Sequence, residues 1–206
     1  LAVAGFIYAL PTLIIRSYVR SAALQGINLS IERVEVSAHD FTFYGVKAEI
    51  PDLPGVQFEG KSIQVELKEF APERVLLREP SLSIAGGYSD LRVEFTKWAA
   101  THHQALSLPE TLREFRIESG RVAWAEIFGK GTALSSDQVA FSTAKETDGA
   151  FGDTFHVDLQ LVRMQSGAGV FGPYRAVVDG SVDHVTTTLR LNPGKSTDAS
   201  IRFVYS

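Results

Sequence analysis

"INLSIERVEVSAHDFTFYGVKAEI", Ile27 to Ile50, decides how this chain is read. Ile27, Leu29 and Ile31 alternate with polar residues. The phase slips at Glu32 and Arg33, and Val34 and Val36 carry on. Phe41 and Phe43 follow, then Val46, Ala48 and Ile50. A period of two sends alternate side chains to opposite faces of a strand. A slip of one residue is what a β-bulge produces. The stretch therefore predicts short strands with one apolar face.

The same grammar continues toward the C-terminus. "PDLPG" closes the stretch, and Val56 and Phe58, then Ile63, Val65 and Leu67, open new runs. Val75 and Leu77 precede Pro80; Leu82 and Ile84 follow it. After Gly86 and Gly87, the spacing of Leu91, Val93 and Phe95 predicts another strand. From Phe95 to Glu114 the period of two is lost, which predicts one or two short helices, with Pro109 near the start of the second. Strands resume at Phe115 and Ile117, Val122 and Trp124, Val139 and Phe141, and Phe155 to Leu161. Ala176 and Val178, Val185 to Leu191, and Ile201 to Tyr205 complete roughly a dozen short runs bounded by turn residues. No fixed-period repeat is present. Alternation alone fits two architectures, a curved antiparallel sheet forming a half-open β-groove and a closed β-sandwich whose second sheet covers the same face.

Toward the N-terminus the composition changes. Leu1 to Ile15 carry no charge, and Arg16 and Arg20 are the first charged residues. As a helix, that uncharged run is roughly 22 Å long, against a hydrocarbon core of about 30 Å. A chain opening on Leu1 is expected to have further apolar residues upstream. The segment 1–25 is thus expected to be a transmembrane anchor, with Phe6, Ile7, Leu10, Leu13 and Ile14 toward lipid and the two arginines reaching for head groups. Pro11 is tolerated in such a helix. A buried core helix is the alternative, and "AALQG" makes a poor signal-peptide cleavage site. Residues 26–206 form the β-rich extracytoplasmic domain, with a possible sub-boundary near 97–114.

The 206 residues are 45% apolar, enough for a core, and their net charge is −4. That balance argues against a nucleic-acid partner, which needs a basic face. The absence of cysteine removes disulfides, thiolate metal sites and cysteine nucleophiles. "GAGVFG", Gly167 to Gly172, matches a dinucleotide-binding pattern by letter, but Pro173 and a strand-like run follow where a helix is needed. A hairpin loop is the better reading. His102 and His103 are adjacent and diverge, and nothing in the sequence brings His39, His156 or His184 to them. No G-x-S-x-G elbow occurs. No catalytic residue, metal or cofactor is expected, and an enzyme is not. Trp98 and Trp124 read as core residues, with an interface or groove position as the alternative for each. "VTTTLRL", Val185 to Leu191, is a strong strand that would accept a partner strand if it lay at a sheet edge.

An apolar helix leading into Ile27–Ile50, then "FEGKSIQVELKEF" (58–70), "RVLLREPSLSIAG" (74–86) and "FRIESGRVAWAEI" (115–127), resembles the N-terminal part of the AsmA-like proteins, relatives of the bridge-like lipid transfer proteins. The resemblance covers roughly residues 1–145. It implies a bacterial inner-membrane helix, a periplasmic body of antiparallel strands curled into a half-open groove, and movement of phospholipid between envelope membranes. Many members are several times longer, so a chain of this length would serve as one module of an assembly. The alternative is a structural subunit of an envelope complex, contacting other envelope proteins through its helix and sheet edges. On the lipid reading, strand parity marks Phe41, Phe43, Phe58, Ile63, Val65, Leu82, Ile84, Val93 and Phe95 as groove residues.

Overall fold

The computed structural model describes residues 2–69, 71–102, 111–144, 154–181, 186–192, 196 and 199–204, and of residues 2–10, 144, 154, 181, 186–189, 191 and 201–204 the backbone alone. Helix α1 (Ala2–Leu24) opens the chain. Five strands follow: β1 (Asn28–Ser30), β2 (Arg33–Val36), β3 (Asp40–Glu49), β4 (Val56–Lys68) and β5 (Ala71–Ala85). Helix α2 (Tyr88–Thr101) separates them from β6 (Glu114–Ala125), β7 (Ala133–Ala144), β8 (Thr154–Ser166), β9 (Gly169–Ser181), β10 (Thr186–Leu191) and β11 (Ala199–Val204). All the strands belong to one open sheet in the order β1-β3-β4-β5-β6-β7-β8-β9-β10-β11, with β2 also paired to β3. The protein is mainly β, and the sheet does not close into a barrel.

The sheet is mixed where antiparallel pairing throughout was expected. β5 and β6 run parallel, Val75 beside Phe115 and Ile84 beside Trp124. Parallel neighbours require a connection that returns from one end of the sheet to the other, and α2 lies on that connection. A second correction concerns its residues. Leu91, Val93 and Phe95 were expected on a strand and lie on α2. Leu91, Phe95, Trp98 and His102 recur at helical spacing, and that stripe overrides the brief alternation. Trp98 is buried within it, stacked on His102 and packed against Phe95 at 5.7 Å. The expected second helix near Pro109 lies outside the described residues. "VTTTLRL" is no edge, since β10 is paired with β9 on one side and β11 on the other. "GAGVFG" falls in the β8–β9 hairpin, where Ser166 pairs with Gly169, as the loop reading expected.

Several long strands were read as two short runs each, and the backbone shows why. Gly45, Glu79, Ser119 and Leu161 all have left-handed φ, at 59°, 50°, 56° and 54°. They lie along one line across β3, β5, β6 and β8, given the registers around them. Apolar parity inverts at this crease. In β5, Val75 and Leu77 give way to Pro80, Leu82 and Ile84; in β6, Phe115 and Ile117 give way to Val122 and Trp124. Each inversion adds one residue, so the strand bends while its apolar residues stay on the same face. At Gly45 the left-handed φ suits glycine, and an added Cβ would also collide with the Glu32 side chain. Glu32 belongs to the break between β1 and β2, the slip visible in the sequence.

Register assembles one continuous apolar face. Phe43, Ile63, Leu77, Ile117, Phe141, Val157 and Val178 stand opposite one another in succession from β3 to β9. Beyond the crease, Val56, Ile84, Trp124, Leu134, Met164 and Phe171 form a second such row. The opposite face is ionic: Lys47 pairs with Glu59 at 3.0 Å, Lys61 with Glu79 at 2.5 Å, and Arg175 with Asp158 at 2.8 Å. Such exposed pairs contribute little to stability, but they keep that face wetted. The chain exposes 13332 Å². A compact monomer of its mass exposes about 9,500 Å².

One buried cluster sits at the start of the sheet, where Val34, Phe43, Val46 and Val65 are buried together, and further buried apolar residues run on through Leu77 to Val139, Val162, Ala176 and Val177. The C-terminal half of α1 covers that cluster. Ile14 and Ile15 pack against the cluster, and Tyr18 meets Phe43 edge to face at 5.0 Å. Ile14, expected toward lipid, thus packs on protein, whereas Leu13 is 51% exposed. The side chains of Phe6, Ile7 and Leu10 lie outside the described residues. Among the described residues, no helix is long and apolar enough to cross a membrane.

Candidate functional site

The apolar face is the candidate site, and it has two unlike parts. Over β1 to β5 it is partly roofed. Phe43 and Val65 are buried in the cluster under α1, and Phe41, Phe58 and Ile63 are half-buried around it. Leu82 is half-buried in β5. Ile84, at the end of β5, lines a second feature together with Phe95. Val93 points away, 52% exposed on α2. The structure thus divides the sequence-predicted groove residues between a cluster under α1, a strand row, and a pocket under α2.

That pocket has a volume of 360 Å³ and is lined by Ile50, Leu53, Val56, Ile84, Tyr88, Leu91, Arg92, Phe95 and Trp124. Its floor is the loop from Ile50 to Val56. Leu53 is only 1% exposed, held by its own N–H donating to the Ile50 carbonyl and by the Val56 N–H donating to the Leu53 carbonyl. The Ala85 N–H donates to the Gly55 carbonyl at 2.7 Å, tying the loop to β5. Trp124 forms one wall, its indole N–H donating to the Gly86 carbonyl at 2.9 Å, with the Tyr88 ring 6.1 Å away. Leu53 was missed as a site residue, and Trp124 was expected in the core first and in the groove second. The only sequence signal for Leu53 was an apolar residue between two prolines in a turn.

Beyond the end of β6 at Trp124, which lies beside α2, no described helix packs on the face over β7 to β9. Phe115 and Phe141 meet edge to face at 5.8 Å, and with Ile117 and Val157 they are half-buried. Near the crease Val139, Val162 and Ala176 are buried. An apolar row left without a second layer is unusual for a soluble surface and marks a ligand or partner.

Behind this part, the polar face is electrostatically ordered. Arg175 grips Asp158 through both carboxylate oxygens, at 3.0 and 2.8 Å, and these hydrogen bonds hold the Asp158 carboxyl below the ordinary aspartate range. Asp179 is lowered as well, first by its hydrogen bond with His156 and then by Arg190. At the start of the sheet, Glu35 is lowered by Arg33 and by the Tyr44 hydroxyl. Asp158 and Glu35 lie on strands in ion pairs, whereas His156 and Asp179, 2.6 Å apart, line a 470 Å³ depression together with Glu114, Arg116, Ser142 and Thr143. Among the described residues, no three His, Asp or Glu side chains gather as metal ligands. His103 and His184 lie outside them. What the arrangement offers chemically is apolar surface on one side and solvation on the other.

No family model matches the chain, and no curated protein matches it either.

Proposed function

We propose that this protein handles membrane lipid, its apolar β-face receiving phospholipid acyl chains, with α1 as the tether to a bacterial inner membrane in a single pass and the sheet in the periplasm. The observation that carries the reading is the single-layered sheet. One face is apolar through β3 to β9, and over β7 to β9 it has no second layer among the described residues. Covering such surface is worth about 25 cal/mol per Å², and acyl chains cover it without asking for hydrogen bonds. The uncharged stretch ahead of Arg16 supports the tether. The seating of Ile14, Ile15 and Tyr18 on the sheet would then fix the groove against the membrane surface.

The test is native mass spectrometry of the protein extracted in mild detergent, joined to photocrosslinking from Phe58, Ile63, Leu82 and Phe141. Copurifying phospholipid and lipid adducts at these positions are expected. Bare protein without adducts would overturn the reading. A second reading, a structural subunit of an envelope complex, is favoured by one feature: among the described residues β11 is paired on one side only. An edge of this kind accepts a strand from a partner. Native purification of the tagged chain with stoichiometric protein partners and no lipid would favour it.

A further inference from the structure

The pocket under α2 differs from the rest of the apolar face because a helix flanks it on one side, where Tyr88 and Phe95 remain about half exposed, and because it is provided with one charge. Leu53, Ile84, Leu91, Phe95 and Trp124 line it, and Arg92 is its one charged lining residue. Its 360 Å³ falls near the lower end of the range of about 300–1,000 Å³ usual for ligand pockets. The hydrogen bonds that fix Leu53 and the Trp124 indole mean that the walls stand before any ligand arrives. Arg92 differs from most arginines of the strands. Arg74, Arg78, Arg163, Arg175 and Arg190 are all engaged with carboxylates. No ion pair or side-chain hydrogen bond holds the Arg92 guanidinium among the described residues. An apolar slot open to solvent past Tyr88 and Phe95, with an exposed guanidinium at it, suits an amphiphile having one slender tail and an anionic head.

The geometry points to this pocket as the seat of a single acyl chain, whose carboxylate or phosphate head is held by Arg92. The inference rests on the lipid reading and narrows it to one end of the sheet and one head-group charge. Two sources share the chemistry, a free fatty acid and one tail of an anionic phospholipid.

The experiment uses the full chain in mild detergent with three probes bearing the same photoactivatable chain: stearic acid, its methyl ester, and a phosphatidylglycerol. Adducts are mapped by peptide mass spectrometry. The inference expects saturable labelling of the peptides carrying Leu53, Leu91 or Trp124 by the acid, the phospholipid or both, and the probe that labels identifies the source. Arg92→Gln is expected to weaken the anionic probe about threefold, the scale of an exposed charge pair, and to leave the ester unchanged. Ile84→Trp, which fills the pocket, should abolish labelling there. Leu91→Glu, on the helix side, does the same without altering the sheet, and so covers the case in which Ile84→Trp fails to fold. Anionic labelling untouched by Arg92→Gln overturns the head-group assignment. Labelling confined to β7–β9 and indifferent to Leu91→Glu overturns the pocket while the lipid reading stands. No labelling anywhere, with no copurifying lipid, removes both.

Discussion

The two halves of the sheet carry the same pattern and meet different fates. At the first strands, Phe43 is buried in a cluster on which α1 rests through Ile14, Ile15 and Tyr18, and Val65 belongs to the same cluster. From β6 to β9, the equivalent positions Ile117, Phe141 and Val157 stand in the same rows, yet no helix covers them among the described residues, and they are half-buried. Alternation therefore chooses a face but not its cover. The first strands bury their apolar face under a helix; β7 to β9 bury Val139, Val162 and Ala176 near the crease but leave Phe141 and Val157 half-buried, and lipid is the proposed occupant of that part.

The comparison is sharpest in a matched pair of truncations. Phe43→Ala removes a ring that is 5% exposed and touches Tyr18 across the helix–sheet contact. It is expected to cost about 3–5 kcal/mol in denaturant unfolding, and to release α1 from the sheet. Phe141→Ala removes a half-buried ring from the same row and is expected to cost only about 1–2 kcal/mol, since less area leaves water on folding. That variant should instead lower copurifying phospholipid. Equal destabilisation by the two substitutions would erase the distinction between the halves.

A smaller effect tests the crease. Leu161 holds a left-handed φ while 39% exposed, so its side chain repays little of the backbone cost. Leu161→Gly is expected to stabilise by about 0.5–1 kcal/mol, the left-handed penalty less the entropy lost by glycine. Destabilisation would mean that the leucine contributes packing that its exposure does not indicate.

The last test concerns the polar face behind the uncovered half. Asp158 is lowered by Arg175, so the pair stabilises the fold above the ordinary aspartate value of about 3.9 and loses that contribution as pH falls through it toward the folded value. In acid titrations followed by circular dichroism, Asp158→Asn should flatten stability against pH in that window. It should cost less at neutral pH than either truncation. An unchanged acid profile would show that the pair does no more than keep the face wetted.

Much of this was legible in residue order. Ile27–Ile50 announced strands, and the slip at Glu32 announced the break that faces Gly45. The parity changes between Leu77 and Pro80, and between Ile117 and Val122, were just as visible, but they read as turns between separate strands. A left-handed residue inside a strand and a turn between strands produce the same slip. Only the hydrogen-bond ladder tells them apart. Leu91, Val93 and Phe95 misled for a related reason, since three residues spaced by two fit either period until Trp98 and His102 extend the helical stripe. The pocket under α2 was hidden because Leu53, Ile84 and Trp124 are far apart in sequence and meet only through the parallel pairing of β5 with β6.

The sequence by itself determined the strands, the parity that makes one face apolar, and the uncharged character of the opening segment, because these depend on neighbours one to four residues away. The tertiary structure alone decided that the strands form one open sheet, that α1 rests on its first strands, and that α2 flanks a pocket at one end. Those outcomes turn on which distant segments cover an apolar face, and local periodicity is the same whether a face is covered or left open.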